Sequence, residues 1–378
     1  MNRLYLDYAA TTPIHPDVQK AMIEALKNEF GNPSAKYYEE ALEAKKITDT
    51  ARQQVANLFG VNANEIIFNS GATEGNNFII KGITHARKTK GSHIITTTIE
   101  HPSVLEVFHY LETQGYEVTY LPVNNDGLLA VNDFKDALRA DTTFASIQWA
   151  NNEIGSILPI KEIANICEEK NIFFHTDATQ AVGKIDLNIN HDDRRIPIDA
   201  ITFSAHKFYG PKGVGAVYLR RDEYGTFPEI TPLLHGGGQE YELRGGTLAV
   251  PQIVGLGVAA KIATEKLSQN TLRLQQLEEK VINVFESKFK NHIIWNQPTK
   301  EHKVPGILSV QFKGVNNEIL VKKLAPILSV STGSACSSAS PSHVLQAIGL
   351  SLDEVRQTIR ISLSPYLIDS DLNILKQL

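Results

Sequence analysis

Two cysteines occur in the 378 residues, in opposite surroundings. Cys167 completes the apolar spacing Ile160, Ile163, Ala164, Cys167 (i, i+3, i+4, i+7), the buried face of a helix. Cys336 lies in "STGSACSSAS" (331–340), whose Ser, Thr, Gly and Ala side chains are too small to wall a thiol off from solvent. An accessible thiol among such residues has the character of a nucleophile. Lys207, in "AHKFYGPKG" (205–213), offers an amine. Beside a cationic or apolar neighbour such an amine loses its proton more readily and forms a Schiff base with a carbonyl compound. Lys212 offers the same chemistry five residues on, and spacing alone does not separate the two. Asp177, in "HTDATQ" (175–180), is a carboxylate at the end of an apolar strand. It needs a cation or several donors, and a protonated pyridine nitrogen would serve. His175 and Asp177 also match part of a metal site, but no third and fourth ligand follow at a recognised spacing, so no metal is expected. His101, in "IEHPS" (99–103), is placed to stack on a flat ring or to carry protons. In "SGATEGNN" (70–77), Gly71 allows a tight turn, and Ala72, Thr73 and Glu74 open a helix whose free N–H groups attract an anion such as phosphate.

These groups need a scaffold, and the chain alternates strand, loop and helix. The strands expected are 65–69, 93–98, 117–123, 144–150, 172–176, 200–204 and 215–221. Several are apolar nearly throughout, as strands covered on both faces are. A helix over 159–170 falls between two of them, and the alternation implies a mostly parallel sheet wrapped by helices. In such sheets ligands bind beyond the carboxyl ends of the strands. There the chain places "SGATEGNN", "IEHPS", "NNEIG" (151–155), "HTDATQ" and "AHKFYGPKG", polar clusters along one edge. After residue 255 the texture changes. A long amphipathic helix over 266–290 carries Leu267, Leu274, Leu277, Val281, Val284 and Phe285, and packs on its own domain rather than in a coiled coil. A strand over 306–315 and a helix near 316–326 follow. The expected domains are a large one over 15–255 and a smaller α+β one made of 1–14 with 256–378.

The net charge of −5 argues against nucleic-acid binding as the main task. No apolar run approaches the ~18–20 residues of a membrane span, and "MNRLYLDYAATTP" has no apolar core of a signal peptide. Two cysteines make no disulfide framework, so a cytoplasmic location with reduced thiols is expected.

Taken together, "LDYAATTP" (6–13), "GNPS" (31–34), "FNSGATEGNN" (68–77), "IEHPSVL" (99–105), "HTDATQAVGK" (175–184), "SAHKFYGPKGVGA" (204–216), "GGGQE" (236–240), "RGGTLAVPQIVG" (244–255), "STGSAC" (331–336) and "IRISL" (359–363) span nearly the whole chain. They resemble cysteine desulfurases of the NifS/IscS type, class-V aminotransferases of the fold-type I pyridoxal 5'-phosphate (PLP) enzymes. The cysteine of "STGSAC" separates this branch from aminotransferases. The resemblance implies that Lys207 holds PLP and moves the substrate Cα proton, Asp177 pairs with the pyridine nitrogen and Gln180 bonds the ring oxygen. His101 stacks on the ring and handles protons at the substrate thiol. Ala72, Thr73, Ser204 and His206 hold the phosphate, with Thr247 reaching it from a second subunit of a homodimer. Asn152 and Arg360 bind the substrate carboxylate, and Cys336 takes sulfur from L-cysteine, leaving L-alanine. The persulfide sulfur would pass to an acceptor or scaffold protein, for iron–sulfur cluster assembly, tRNA thiolation or DNA phosphorothioation. Other readings are a selenocysteine lyase, a small-amino-acid aminotransferase, or a sulfur-delivery scaffold without turnover. The chain departs from the branch in having "RGGT" for "RSGT", "SLSPY" (362–366) for "SLGRF", and a short run of seven residues between Cys336 and Val344.

Overall fold

A computed structural model describes residues 3–191, 194–333 and 340–377. Cys336 lies outside the described residues. A short strand β1 (Leu4–Tyr5) and two helices, α1 (Pro16–Asn28) and α2 (Glu39–Phe59), come first. Strands and helices then alternate: β2 (Ile66–Asn69), α3 (Ala72–Arg87), β3 (His93–Thr97), α4 (Pro102–Thr113), β4 (Glu117–Leu121), α5 (Val131–Asp136), β5 (Thr142–Ser146), α6 (Ile160–Glu169) and β6 (Phe173–Asp177). A two-residue ribbon of β7 (Asn190–His191) and β8 (Arg194–Arg195) precedes β9 (Ala200–Ser204) and β10 (Gly215–Leu219).

Seven of these strands form one sheet in the order β2-β10-β9-β6-β5-β3-β4. Only β10 runs against its neighbours; the pairs β3–β4, β3–β5, β5–β6 and β6–β9 are parallel. The carboxyl ends of β2, β3, β5, β6 and β9 therefore share one edge. The interior strands β3, β5, β6 and β9 are buried along their whole length, their Thr, Ser and His side chains included, whereas the edge strand β4 is partly exposed. The strand expected over 144–150 ends its ladder at Ser146, but Ile147 and Trp149 still donate to the carbonyls of His175 and Asp177. Cys167 is fully buried on α6, and burial holds its thiol well above the ordinary thiol range.

The rest of the chain comprises α7 (Val250–Glu265), α8 (Leu267–Phe289), β11 (Ile293–Trp295), β12 (Ile307–Phe312), α9 (Asn317–Leu324), β13 (Leu328–Ser329), α10 (His343–Ala347), α11 (Leu352–Val355) and β14 (Thr358–Ser362). Strands β11, β12 and β14 form an antiparallel sheet, and β1 pairs with β13. Leu274, Leu277, Val281 and Phe285 of α8 are buried in a cluster with Leu4, Leu6, Leu308, Val310 and Ile361. Helix α7 instead joins the cluster around the main sheet through Ile253, Leu256, Ala259 and Ala260. It lies so close to α2 that a Cβ on Gly257 would sit 2.5 Å from the Ala51 Cα.

The loop after β3 is tied down by a carboxyl group with no exposure to water. Glu100 Oε1 accepts from Thr97 Oγ1 (2.7 Å) and from the Gln148 amide (2.9 Å), joining the ends of β3 and β5. Its other oxygen has no partner among the described residues. Burial raises this carboxyl to about 8, aided by Asp177 and opposed by the two hydrogen bonds.

Two predictions follow from this packing. Gly257→Ala gains up to about 1 kcal/mol of helix propensity, but the added methyl meets backbone that cannot rotate away, an overpacking cost of about 1–3 kcal/mol. The net expectation is a lower urea midpoint. Glu100→Gln keeps an acceptor for both donors and cannot ionise. A carboxyl raised from 4.5 to about 8 loses the folded state stability as pH climbs between those values, because only the unfolded chain ionises. The stability advantage of Glu100→Gln over the parent should therefore grow from pH 5 to pH 8, at a limiting slope of about 1.4 kcal/mol per pH unit, and level off above; unfolding at a series of pH values measures it.

Candidate active site

A cavity of about 400 Å³ opens at the shared edge of the main sheet. Its lining includes Ala72, Thr73, His101, Asn152, Asp177, Gln180, Ser204, His206, Lys207 and Arg360, which come from widely separated parts of the sequence. Thr247 is exposed and does not line it.

Lys207 sits in the 3-10 turn that follows β9. Its Nζ donates to the main-chain carbonyls of Ala9 (2.9 Å) and Ala10 (2.7 Å). Lys212 lines the same cavity but is exposed. The structure thus separates two amines that spacing left equivalent: only Lys207 is drawn inward by acceptors.

Asp177 ends β6 and is 6% exposed. Its Oδ1 accepts from the Thr179 amide (2.9 Å) and its Oδ2 from Asn76 Nδ2 (2.8 Å). The neighbouring His175 holds no metal ligand's posture. Its two ring nitrogens are engaged by Ser146 Oγ (2.8 Å) and Thr202 Oγ1 (2.9 Å), and burial pushes the ring down to about 4. No group of three or more potential metal ligands occurs among the described residues. Gln180 donates through Nε2 to the Ala9 carbonyl (2.9 Å) and accepts at Oε1 from Lys184 Nζ (2.7 Å), which fixes which end of its amide is which. Burial, with Lys207 and Arg360 adding repulsion, brings Lys184 down to about 7.

His101 is the N-cap of α4: its Nδ1 accepts from the Ser103 amide (3.1 Å) and lies 2.9 Å from Ser103 Oγ. Burial lowers its pKa; Lys207 and His343 act in the same direction and Asp177 against them.

The opposite end of the cavity is built for an anion. Gly71 takes φ +143°, outside the range of ordinary side chains, and caps α3 without a side-chain bond. A Cβ there would stand 3.3 Å from Ser204 Oγ, and one on Gly215 would stand 2.7 Å from the Gly71 Cα. The first turn of α3 carries N–H groups with no partner inside the helix. Glu74, in that turn, is held in an ion pair by Arg244 (2.8 Å), which keeps it below the usual carboxylate range against burial. His206 shares a hydrogen bond with Thr11 Oγ1 (3.1 Å); burial, with Lys207 and Lys212, brings its ring down to about 4. At neutral pH it therefore offers a hydrogen bond rather than a charge.

Arg360, 2% exposed on β14, donates to Asp7 Oδ1 (2.8 Å) and to the Asn152 carbonyl (2.9 Å). Its Nε is buried with no partner among the described residues, so the guanidinium keeps donors in reserve. Asn152 contributes a main-chain oxygen to the arginine as well as lining the cavity.

The residues present fit PLP. An inward amine, a carboxylate already oriented by two donors and a cradle that a side chain at Gly71 would fill match its aldehyde, ring nitrogen and phosphate. Several groups at the site were not singled out from the sequence: Asn76, Ser103, Thr179, Glu153, Lys184 and His343. Asn76 lies four residues past Ala72, on the same helix face, and that spacing was the available signal. Glu153 is buried, accepts from Ser342 Oγ (2.5 Å) and has its carboxyl pushed up by burial. His343 donates through Nε2 to the Glu100 carbonyl (2.8 Å).

Comparison with known proteins agrees with this arrangement. Residues 4–375 match the class-V aminotransferase family. A cysteine desulfurase IscS of Dictyoglomus turgidum is 44% identical over 373 residues, covering 98% of this chain and 92% of that protein. Among solved structures, a NifS-like protein superposes with a TM-score of 0.91 at 35% identity, covering 100% of this chain and 98% of that one. A structure described as SspA in complex with cysteine superposes with a TM-score of 0.82 at 39% identity, covering 96% and 99%. With a family match over nearly its whole length and relatives this similar, the chain belongs to the class-V aminotransferases, on their cysteine desulfurase branch.

Proposed function

We propose that this protein is a PLP-dependent cysteine desulfurase that converts L-cysteine and the thiol of Cys336 into L-alanine and a Cys336 persulfide. The observation that carries the reading is the convergence of Lys207, Asp177, His101 and Arg360 on one cavity, in a chain 44% identical to a cysteine desulfurase. PLP, when bound, supplies the electron sink that makes an amino acid's Cα proton removable and its Cβ–S bond weak.

The chain's own residues supply the rest. Asp177, a carboxylate fixed by Asn76 and the Thr179 amide, would hold the ring nitrogen protonated. The N–H groups of Ala72 and Thr73, with Ser204 and His206, would hold the phosphate, and Thr247 of a second copy would complete that end. Gln180, its amide fixed by Lys184, would present N–H to the ring oxygen. Lys207 would move the proton at the substrate Cα. Arg360, already aligned by Asp7 and the Asn152 carbonyl, would take the substrate carboxylate through donors still unused, beside the Asn152 side chain. His101 would handle the proton at the substrate sulfur. The Cys336 thiolate would bond to that sulfur as the Cβ–S bond breaks, its electron pair staying on the carbon, which protonation turns into the methyl of alanine.

We infer a homodimer, which the exposed apolar side chains of Leu26 (63%), Phe30 (79%) and Tyr37 (94%), close together in sequence, favour. We infer that residues 1–14 join the C-terminal part in a smaller domain, since Leu4 and Leu6 pack among Leu274, Leu308 and Ile361, but that the boundary falls after α7 rather than at 255, because Leu256, Ala259 and Ala260 pack with the main sheet. Among the described residues no helix is long and apolar enough to cross a membrane, and we place the protein in the cytoplasm, passing sulfur to an acceptor protein.

Incubation with L-cysteine should yield alanine and a persulfide that cyanide or an alkylating probe detects. Cys336→Ser should bind cysteine, seen as a change in the cofactor's absorbance, and form no persulfide. Alanine release from that variant at the parent rate would remove Cys336 from the reaction, and transamination with a keto acid in place of sulfur release would point to an aminotransferase. Lys207→Ala should lose the visible absorbance of covalently held pyridoxal; an unchanged spectrum would move the attachment to another amine, Lys212 first.

A further inference from the structure

We propose that Asn76 and Ser103 are positioning residues that link the charge of Asp177 to the ring of His101 and hold that ring as its Nε2–H tautomer. The proposal rests on the reading of His101 as a group that works on the substrate's proton. The geometry forms one continuous chain. Asn76, fully buried on α3, donates through Nδ2 both to Asp177 Oδ2 (2.8 Å) and to Ser103 Oγ (2.9 Å). Ser103 Oγ in turn lies 2.9 Å from His101 Nδ1, which also accepts from the Ser103 main-chain amide at 3.1 Å.

Each link fixes the polarity of the next. A carboxylate oxygen only accepts, so the atom of Asn76 facing Asp177 is its nitrogen. Both hydrogens of that nitrogen are then used, and Ser103 Oγ is an acceptor toward Asn76. The one hydroxyl proton of Ser103 is left for His101 Nδ1. A main-chain amide also only donates, so Nδ1 carries a lone pair and the ring's proton sits on Nε2. The shielded Asn76 Oδ1 has no partner among the described residues. The amide thus forgoes one bond to serve Asp177 and Ser103, and a buried carbonyl left unpaired is retained only where something else outweighs it.

The same links oppose protonation of His101. A proton on Nδ1 would break the capping bond to the Ser103 amide and place a cation at the positive end of α4. Among the described residues the titratable groups that bear on the ring include Asp177 from β6, Lys207 from the turn after β9, and His343 from α10; burial, with Lys207 and His343, lowers its pKa against the pull of Asp177. His101 therefore meets the substrate as a neutral ring with a defined donor, Nε2–H.

The test is an NMR titration of 15N-histidine in the full-length holoenzyme without cysteine, with His101 assigned by the signal lost in His101→Gln. The parent should show a protonated Nε2 and a bare Nδ1. Ser103→Ala removes one bond to the neutral ring and should raise the His101 pKa by roughly half a unit to one unit, and Ser103→Thr, which keeps the hydroxyl, should restore it. Asn76→Ala should shift it the same way, and combining it with Ser103→Ala should add nothing, because the amide acts through the hydroxyl. A proton on Nδ1 in the parent, an unchanged titration in Ser103→Ala, or additive shifts in the double variant would each overturn the proposal. Should Asn76→Ala fail to fold, the half-buried Ser103→Ala and Ser103→Thr pair still decides it. The spectra need no turnover, so a protein that releases no sulfur loses the desulfurase reading and leaves the link measurable, while sulfur release with an unchanged titration sinks the link alone.

Discussion

A carboxylate at the end of a buried strand must be supplied with donors, and the site is arranged around that demand at Asp177. Leaving such a charge unpaired in a medium of low dielectric costs several kcal/mol or more. The chain meets the demand from two directions: the Thr179 amide of the turn that follows β6 and the Asn76 amide of α3, a helix that enters from the other side of the sheet's edge. Because the second donor comes from a different element, the pairing also fixes how α3 sits over β6. That places the cradle at Gly71, five residues before Asn76, at a set distance from Asp177. The two ends of the cavity are thus held apart by about one and a half helix turns and one hydrogen bond.

The N-terminal segment does more than its length suggests. The carbonyls of Ala9 and Ala10 draw Lys207 inward, the Ala9 carbonyl also orients Gln180, and Asp7 aligns Arg360. Leu4 and Leu6, just before, are buried between β1's partner β13 and the strands β12 and β14. A segment anchored by apolar side chains on one side and offering bare carbonyls on the other is rigid enough to place acceptors, which is why main-chain atoms near the start of the chain can orient a lysine about two hundred residues away.

Burial moves several titratable groups around the cavity toward their neutral forms. The rings of His175 and His206 are driven down to about 4, the Glu100 carboxyl is raised to about 8, and Lys184 is brought down to about 7. Charge is retained in pairs, Glu74 with Arg244 and Arg360 with Asp7. Few charges in a poorly screened space act strongly on whatever binds there, and the neutral side chains contribute directed hydrogen bonds without competing for the ligand's charge.

Much of this was legible in the sequence. Runs rich in apolar and β-branched residues marked the interior strands, turn residues marked their ends, and the polar clusters "SGATEGNN", "IEHPS", "HTDATQ" and "AHKFYGPKG" fell at one edge of the sheet because a parallel sheet sends every strand end to the same side. The stripe of α8 and the burial of Cys167 followed from helical spacing. Local pattern carries that kind of information because it is set by which face of an element meets water. It does not carry which of the two amines, Lys207 or Lys212, is drawn inward, since that depends on the carbonyls of Ala9 and Ala10, which fold over Lys207 from the start of the chain. Nor does it carry the partnership of Asn76, Ser103 and Asp177, the reserve donors of Arg360 or the fate of Glu153, because each depends on atoms brought together from distant parts of the chain. The sequence by itself determined the layers and the edge; tertiary packing alone decided the polarity of each side chain there, because the direction of a hydrogen bond is set by its partner and not by its own residue type.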